Sequence, residues 1–242
     1  MDLFHFKQFA VAHHRSAMKI GTDAVLLGAW VEIATTTQRI LDVGTGCGII
    51  ALMLAQRSNA LIDAIDIDIE SVAEASENFR HSPWSNQLRA LDISLQDFSY
   101  KSIEKYDMIV CNPPFFQNSL KPKNPKLELA KHNHQLDFRT FWKCISGLIT
   151  ANGTVGVILP VNEADYFENL GFEMNWYLMK KCSVIPITGK KANRELLLFS
   201  PIEPDNLVSE KIILRQQSGS FSRAYRELTR EFHPEEYFKD NI

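Results

Sequence analysis

Short apolar runs alternate along this chain with segments of helical periodicity, and this alternation restricts the possible fold more than any other feature. The runs are continuously apolar, as expected for parallel strands that are covered by helices on both faces. The alternation therefore predicts repeated strand–helix–strand units and an α/β domain with a mostly parallel sheet. Strands are predicted near residues 39–43, 61–66, 88–93, 106–111 and 153–159, and helices near 48–57, 69–80, 137–150 and 162–170.

The two ends of the chain depart from this alternation. Residues Trp176–Ile187 and Glu195–Ser200 flank the polar stretch Thr188–Asn193, and this pattern predicts a β-hairpin. Near the start, a helix is predicted over residues 24–33 with Thr22 as its N-cap.

Length, charge and cysteine content narrow the class of protein. The 242 residues are expected to form a single domain over 1–242, with an N-terminal lead-in and helix over 1–36. A net charge of −3 does not indicate a general nucleic-acid binder, although a local basic patch would suffice. The four cysteines form no C-x-x-C pair and are expected to be reduced thiols of a cytoplasmic protein. No signal peptide and no apolar run of membrane-spanning length is found, so no membrane association is expected.

A glycine-rich loop follows the first predicted strand. Gly44, Gly46 and Gly48 allow a tight turn and the close approach of a ligand to the main chain. The spacing differs from that of a dinucleotide loop, because Ile49 stands where the third glycine would be required. Asp42, just before the loop, disfavours a pyrophosphate and can face an ammonium group. The loop therefore predicts a site for a different kind of cofactor.

Acidic residues follow the next two predicted strands. Asp66 comes directly after an apolar run, about 20 residues past the glycine loop, where Rossmann-like folds place an acceptor for ribose hydroxyls. Asp68 is interpreted as the N-cap of the following helix. Asp97, within Leu95–Phe98, can accept a hydrogen bond from an adenine amino group. The alternative for Asp66 and Asp68 is that both are solvated loop acids.

The tetrad Asn112-Pro113-Pro114-Phe115 follows the predicted strand over residues 106–111. The Asn112 side-chain oxygen and the Pro113 main-chain carbonyl offer two acceptors to a planar NH2 group. Pro114 stiffens the stretch, and Phe115 offers a face for stacking. The tetrad predicts chemistry on an amino nitrogen, and the alternative is a proline-stiffened turn with a phenylalanine in the core.

In this order and spacing, these elements resemble class I S-adenosylmethionine-dependent methyltransferases that act on exocyclic or amide nitrogen. The resemblance implies a Rossmann-like fold with a mostly parallel seven-stranded sheet and a C-terminal β-hairpin. It also implies S-adenosyl-L-methionine as cofactor. The segments Phe9–Trp30 and Tyr225–Phe232 resemble more closely the bacterial family that methylates N6 of adenosine 37 in a valine tRNA. A tRNA anticodon arm is then the expected partner.

The residues and the resemblance together assign a site. The Lys19–Asp23 stretch is expected to border the methionine end of the cofactor. No metal is expected, because His13-His14 and His132-x-His134 lack further ligands at metal spacing. The expected catalytic residues are Asn112, Pro113, Pro114 and Phe115, and the expected cofactor-binding residues are Lys19, Thr22, Asp42, Gly44, Gly46, Gly48, Asp66, Ile67, Asp97, Phe98 and Asn112.

Other substrates stay open at this point. A glutamine amide of a protein such as a release factor presents the same planar NH2 group as adenine, and guanine N2 of ribosomal RNA is a second alternative. The short stretch before the first strand and Phe115, where release-factor enzymes favour tyrosine, both favour nucleic acid. The loop over residues 112–136 is expected to contact phosphate of the substrate through its lysines, and the alternative is a solvated surface loop. Other candidate phosphate contacts are Arg15, Lys180-Lys181 and Lys190-Lys191-x-x-Arg194, each of which can equally be a solvated face.

Overall fold

Strands and helices alternate through residues 3–16, 19–113 and 137–239, which are the residues described by this computed structural model. The strands are β1 (Leu3–His5), β2 (Ala10–Ala12), β3 (Arg39–Val43), β4 (Leu61–Asp66), β5 (Leu88–Asp92), β6 (Tyr106–Cys111), β7 (Ile149–Pro160), β8 (Tyr177–Ile187), β9 (Arg194–Ser200) and β10 (Val208–Arg215). The helices are α1 (Thr22–Trp30), α2 (Ile49–Arg57), α3 (Ile69–Arg80), α4 (Leu95–Lys101), α5 (Phe138–Leu148), α6 (Val161–Glu173) and α7 (Arg223–Thr229), followed by a short 3-10 helix, Glu235–Phe238.

The central sheet has eight strands in the order β10-β8-β9-β7-β6-β3-β4-β5 within the described residues. All neighbouring pairs are parallel except those that involve β9, which runs antiparallel to both β7 and β8. The predicted parallel sheet and C-terminal hairpin are thus confirmed. One strand is added to the seven that were expected, because β10 pairs with the outer edge of β8.

The strand order reverses between β3 and β6, since the chain moves outward to β4 and β5 on one side and to β7 on the other. In open parallel sheets, such a reversal leaves a crevice at the carboxyl ends of the strands, and ligands bind there. The residues that follow β3 and β6 therefore lie where a ligand site is expected.

Two hydrophobic clusters cover the two faces of the sheet. Helices α1, α2 and α7 contribute to one cluster, and α4, α5 and α6 contribute to the other. The second cluster is centred on Trp142, which is fully buried and donates a hydrogen bond from Nε1 to the Phe167 carbonyl at 3.1 Å. Burial on both faces explains why the strands are continuously apolar in sequence. Among the helices of the described residues, none is long and apolar enough to cross a membrane.

Of the two helix N-caps that were predicted from sequence, the one for α3 is confirmed and the one for α1 is wrong. Asp68 is the N-cap of α3, as predicted, and its Oδ2 accepts a hydrogen bond from the Ser71 N–H at 3.1 Å. The prediction for Thr22 is wrong, because Thr22 is already the first residue of α1. Gly21 is the N-cap, with an extended backbone (φ −109°, ψ 158°) and no side chain to accept a hydrogen bond. Helix α1 also ends earlier than predicted, at Trp30.

The C-terminal segment packs against the hairpin formed by β1 and β2. The His233 ring stacks on Tyr237, with ring centroids 3.7 Å apart, and lies 5.4 Å from the Phe6 ring. Burial lowers the pKa of His233 to about 4, so the ring is neutral at physiological pH. The two ends of the described chain are therefore joined through an aromatic cluster.

Candidate active site

The glycine loop and Asn112 lie side by side because their strands pair in register. In the parallel pair of β3 and β6, Val43 is aligned with Cys111, so Gly44 and Asn112 each come one residue after an aligned position. On the other side of β3, the Gly44 N–H donates to the Ile65 carbonyl of β4 at 2.9 Å. Both parts of the predicted site are thus adjacent at the point where the strand order reverses.

The glycine loop adopts a conformation that requires glycine. Gly44, Gly46 and Gly48 have φ values of +71°, +55° and +83°, in the left-handed region that disfavours L side chains. A Cβ atom at Gly48 would lie 2.4 Å from Cε1 of Phe79 on α3. The spacing of the glycines therefore reflects both backbone conformation and the close packing of α3 against the loop.

Asp42 is a fully buried acid with one unpartnered oxygen. Its Oδ2 accepts a hydrogen bond from Thr45 Oγ1 at 2.6 Å, whereas no described residue donates a hydrogen bond to Oδ1. Burial raises the pKa of Asp42 to about 7; the nearby Asp66 charge adds to this, and the hydrogen bond from Thr45 opposes it. A buried acceptor of this kind fits a ligand that brings a cationic N–H donor, such as an ammonium group.

Asp66 is the last residue of β4, and its carboxylate is hydrogen-bonded to the glycine loop. Its Oδ2 accepts from the Gly46 N–H at 2.9 Å, and its Oδ1 accepts from the Asp68 N–H at 3.0 Å. Each carboxylate oxygen has a further lone pair with which it can accept a ribose hydroxyl. The next residue, Ile67, is 61% exposed and offers apolar surface beside this acid.

Asp97 and Phe98 lie in the first turn of α4 with different surroundings. Asp97 is exposed, and its Oδ2 accepts a hydrogen bond from Ser94 Oγ at 3.0 Å. The Phe98 side chain is buried in the core, with its ring 6.1 Å from that of Tyr106. Phe98 therefore fixes α4 against the sheet, while the Asp97 carboxylate is accessible to a ligand.

A long-range ion pair ties the start of α1 to the same edge of the sheet. Arg194 begins β9 and is aligned with Pro160 at the carboxyl end of β7. Its Nε donates to Oδ2 of Asp23 at 2.9 Å. Thr22 directly precedes Asp23 and Lys19 lies four residues before it, and both are exposed. The pair thus brings the predicted methionine-binding stretch to the edge that carries Asn112.

Asn112 itself carries a buried acceptor without a partner. The side chain is half-buried, and its Oδ1 makes no hydrogen bond with any residue that the structure describes. Pro113 is buried next to it. Pro114 and Phe115 lie outside the described residues, so their predicted roles are not tested. An unpaired buried oxygen is costly in a folded protein and is characteristic of a position that a ligand completes.

Comparison with known proteins agrees with this geometry. The profile of the Methyltransferase small domain family matches residues 13–134, the segment that carries the glycine loop, the acids and Asn112. A relative from Bacteroides fragilis (strain YCH46), a tRNA1(Val) (adenine(37)-N6)-methyltransferase, is 39% identical over 95% of this chain and 97% of its own length. A relative of the same name from Escherichia fergusonii is 36% identical over 95% of this chain and 94% of its own length. The chain belongs to the tRNA1(Val) (adenine(37)-N6)-methyltransferase family.

The fold of this methyltransferase is shared with solved structures of low sequence identity. A predicted O-methyltransferase from Agrobacterium tumefaciens superimposes with a TM-score of 0.68 at 16% identity, covering 87% of this chain and 96% of that one. The Rossmann-like class I methyltransferase fold and the methyltransferase family, both implied by the sequence resemblance, are therefore confirmed.

Asn78 of the methyltransferase was not identified from sequence, although it connects two parts of the site. It is buried on α3, where its Oδ1 accepts from the Ala12 N–H at 2.9 Å. Its Nδ2 donates to the Ala12 carbonyl at 2.9 Å and to the Cys47 carbonyl at 2.8 Å. Asn78 thereby holds the lead-in and the glycine loop against the same helix.

Glu74 lies one turn before Asn78 and binds the next stretch of the lead-in. Its buried carboxylate accepts hydrogen bonds from three consecutive main-chain N–H groups, those of His14 (2.9 Å), Arg15 (3.0 Å) and Ser16 (2.9 Å). Burial alone would raise the pKa of Glu74, but the hydrogen bonds from Arg15 and Ser16 hold it below its ordinary value. Two polar residues spaced i, i+4 on the buried face of α3 were the available sequence signal for this contact.

The described part of the methyltransferase contains no group of three or more His, Cys, Asp or Glu side chains that could hold a metal ion. His132 and His134 lie outside the described residues. The charged groups described above surround the crevice as hydrogen-bond acceptors, which fits an organic ligand with N–H and hydroxyl donors.

Proposed function

We propose that this protein transfers the methyl group of S-adenosyl-L-methionine to the exocyclic N6 amino group of adenosine 37 in valine tRNA. The observation that carries the proposal is the buried Oδ1 of Asn112 beside the glycine loop, which has no hydrogen-bond partner within residues 3–16, 19–113 and 137–239. Relatives named for this reaction that match nearly the whole chain support the choice of substrate.

Each chemical group of the methyl donor has a suitable partner among the residues at the crevice. The unpartnered Oδ1 of Asp42 suits the ammonium group, and Asp66 suits the ribose hydroxyls. Exposed Ile67 and Asp97 suit the adenine face and its amino group, and Lys19 and Thr22 border the methionine end. When bound, S-adenosyl-L-methionine supplies an electrophilic methyl group on a sulfonium.

Asn112 and Pro113 act on the nucleophile. Adenine N6 is a poor nucleophile, because its lone pair is delocalised into the ring. The adenine leaves its stack to enter the site, and Asn112 Oδ1 and the Pro113 carbonyl accept its two N6 hydrogens. These acceptors hold the lone pair toward the methyl group and stabilise the positive charge that develops on nitrogen. The new N6–carbon bond replaces the sulfur–methyl bond, and N6 then releases one hydrogen as a proton to water, which leaves a neutral amine. Phe115 is proposed to stack on the base.

The proposal extends to organisation and location. Residues 1–242 are proposed to act as a single methyltransferase domain, with 112–136 as the substrate loop. A cytoplasmic location is proposed, because tRNA is the substrate and all four cysteines are free thiols.

Product identification tests the proposed function directly. We expect label from methyl-labelled S-adenosylmethionine to appear in N6-methyladenosine when the purified protein is incubated with unmodified total tRNA and the valine tRNA is then digested. Parallel incubations contain unmethylated release factor and unmethylated ribosomal RNA. Label in either of these, with none in tRNA, would contradict the proposal and assign the Asn112 site to a glutamine amide or to guanine N2.

The pKa of Asp42 predicts how cofactor affinity depends on pH. The affinity for S-adenosyl-L-homocysteine is expected to increase as pH rises through about 7, since Asp42 then becomes a carboxylate that attracts the ligand's ammonium group. It should decrease again above about 8, where an α-amino group loses its proton. Calorimetric titration from about pH 5.5 to about pH 9, a range that includes both values, measures the increase and the decrease in affinity.

The Asp42→Asn variant is the control for this pH dependence. The pKa of Asp42 in the folded protein lies above its unfolded value of 3.8, so the folded state binds more protons between about 4 and 7. The contribution of Asp42 to the free energy of unfolding is therefore greatest below pH 4 and declines as pH rises to 7. Asp42→Asn should lose both this decline and the acid limb of the binding profile. If the affinity of the Asp42→Asn variant still increased as pH rises to 7, Asp42 would not be the group that attracts the ammonium group.

A further inference from the structure

Two segments that meet at the carboxyl edge of the sheet contain no acidic residue, although the chain as a whole has a net charge of −3. One covers residues 184–194, from the end of β8 to the start of β9, and the other covers 211–226, from β10 into α7. Their exposed parts, residues 188–193 and 215–220, form a basic rim that carries Lys190, Lys191 and Arg215 among threonine, serine, asparagine and glutamine residues.

Hydrogen bonds order the basic rim. The Thr188 N–H donates to the Arg215 carbonyl at 2.9 Å, which joins the two segments. The turn between β8 and β9 is closed by the Lys190 N–H, which donates to the Ile187 carbonyl at 2.9 Å, and Gly189 takes the positive φ of +86° that this turn requires. The lysines are therefore held on a structured turn.

Among the described residues, four of the six candidates for phosphate contacts are already neutralised by acids. Lys180 lies 2.7 Å from Glu32 and 3.1 Å from Glu210, and Lys181 lies within 3.8 Å of two acids of α6. Arg15 is 2.6 Å from Glu77, and Arg194 pairs with Asp23 at 2.9 Å. These ion pairs leave little positive charge for an external anion.

The cations of the basic rim have no such partners within the described ranges. Lys190 and Lys191 are both exposed and form no ion pair there. The Arg215 guanidinium lies 3.9 Å from the centroid of the Phe221 ring, donates to the Gly219 carbonyl at 2.6 Å and has no acidic partner there. A guanidinium stacked on an aromatic face keeps its remaining donors available in a fixed plane.

We propose that the basic rim binds backbone phosphates of the RNA whose nucleotide enters the active site. The proposal rests on the proposed function and specifies its substrate contact. Lysine, arginine and neutral hydroxyl or amide side chains are the groups that contact phosphate oxygens in nucleic-acid complexes. Neighbouring strands lie about 4.8 Å apart and β8 is the third strand from β6, so the rim lies roughly 14 Å from Asn112 along the same edge. An RNA stem or loop can contact the basic rim and the active site at the same time. Contacts of the rim with phosphates recognise the shape of the RNA and not its sequence.

The Lys190→Ala/Lys191→Ala variant tests the proposal. We expect the KM for tRNA to rise roughly tenfold and the slope of log affinity against log salt to become shallower by about 2, one for each lysine that no longer neutralises a phosphate. The kcat at saturating tRNA and the Kd for S-adenosyl-L-homocysteine should stay at wild-type values, because neither lysine belongs to the catalytic or cofactor-binding residues. The matched control is Lys101→Ala/Lys143→Ala, which removes the same charge from exposed positions on α4 and α5 that form no described ion pair.

The outcomes separate this proposal from the function on which it rests. Failure of the wild-type protein to methylate tRNA would overturn the proposed function. Normal methylation by the wild type, with unchanged tRNA KM and salt slope in the Lys190/Lys191 variant, would overturn the basic rim alone. An equal rise in KM in the Lys101/Lys143 control would also overturn it, since the effect would then be one of net charge.

Discussion

Replacement of Asn112 by alanine is expected to lower kcat for methyl transfer by at least about 100-fold, the size of effect seen when one preorganised polar group at a reacting centre is removed. The physical reason is that Asn112 Oδ1 is a buried acceptor with no partner in the described part of the chain, placed next to the glycine loop by the aligned pair Val43 and Cys111. Without it, one N6 hydrogen and the charge developing on nitrogen lose their acceptor. Single-turnover measurements with saturating tRNA and cofactor give the rate of the chemical step.

Three controls make the Asn112→Ala result specific. The Kd for S-adenosyl-L-homocysteine should change little, because the acids and glycines that surround the cofactor are intact. The free energy of unfolding should not fall through loss of Oδ1, since this atom makes no hydrogen bond to the described residues. Asn152→Ala, at an exposed position on β7, should leave both kcat and Kd unchanged. A kcat within a few-fold of wild type for Asn112→Ala would remove Asn112 from the mechanism.

Replacement of Gly48 by alanine is expected to destabilise the protein by about 2–5 kcal/mol and to abolish measurable cofactor binding. The left-handed backbone at Gly48 costs about 1–2 kcal/mol for an L residue, and overpacking adds about 1–3 kcal/mol. The overpacking arises because the new Cβ would lie 2.4 Å from Phe79 Cε1 and 3.2 Å from the Ala75 Cβ. Denaturant unfolding measures the first effect and calorimetric titration the second.

Gly147→Ala is the matched control for Gly48→Ala. Gly147 lies within α5, and a Cβ there would meet no atom within 4 Å. The substitution should therefore stabilise the protein by about 0.5–1 kcal/mol, the usual gain when alanine replaces glycine in a helix. The double variant Gly48→Ala/Phe79→Leu should recover the overpacking part of the loss but not the backbone part. Wild-type stability of Gly48→Ala alone would show that the loop tolerates a side chain and that the glycine is not structurally required.

The parts of the site that were predicted from sequence are those that depend on local chain properties. The glycine loop was recognisable because three positive φ values require three glycines at fixed spacing. The cap at Asp68 was recognisable because it involves Ser71, only three residues away. Thr22 was misassigned because threonine is a preferred N-cap residue, whereas the start of α1 is set by the position at which its buried face begins. As a result, Thr22 is already helical, and Gly21 takes the capping conformation without a side-chain hydrogen bond.

The parts that sequence analysis missed depend on contacts between distant segments. Asn78 bonds to Ala12, 66 residues away, and Glu74 bonds to main-chain groups 58 to 60 residues away. Strand β10 was missed because it joins the sheet as an edge strand in which five of eight residues are exposed, and its short apolar run, Ile212–Leu214, shows no strand periodicity.

By itself, the sequence determined the α/β class, the methyltransferase resemblance and the identity of the main chemical groups, because these follow from hydrophobic periodicity, glycine and proline geometry and the types of side chain present. Only the tertiary structure decided which of these groups meet. It placed Gly44 beside Asn112 and left Oδ1 of Asn112 and of Asp42 without hydrogen-bond partners in the described segments. It also neutralised Lys180 and Lys181 while leaving Lys190 and Lys191 exposed. Pairing and burial of a polar group depend on residues far away in the chain, and for this reason they could not be read from the residues around it.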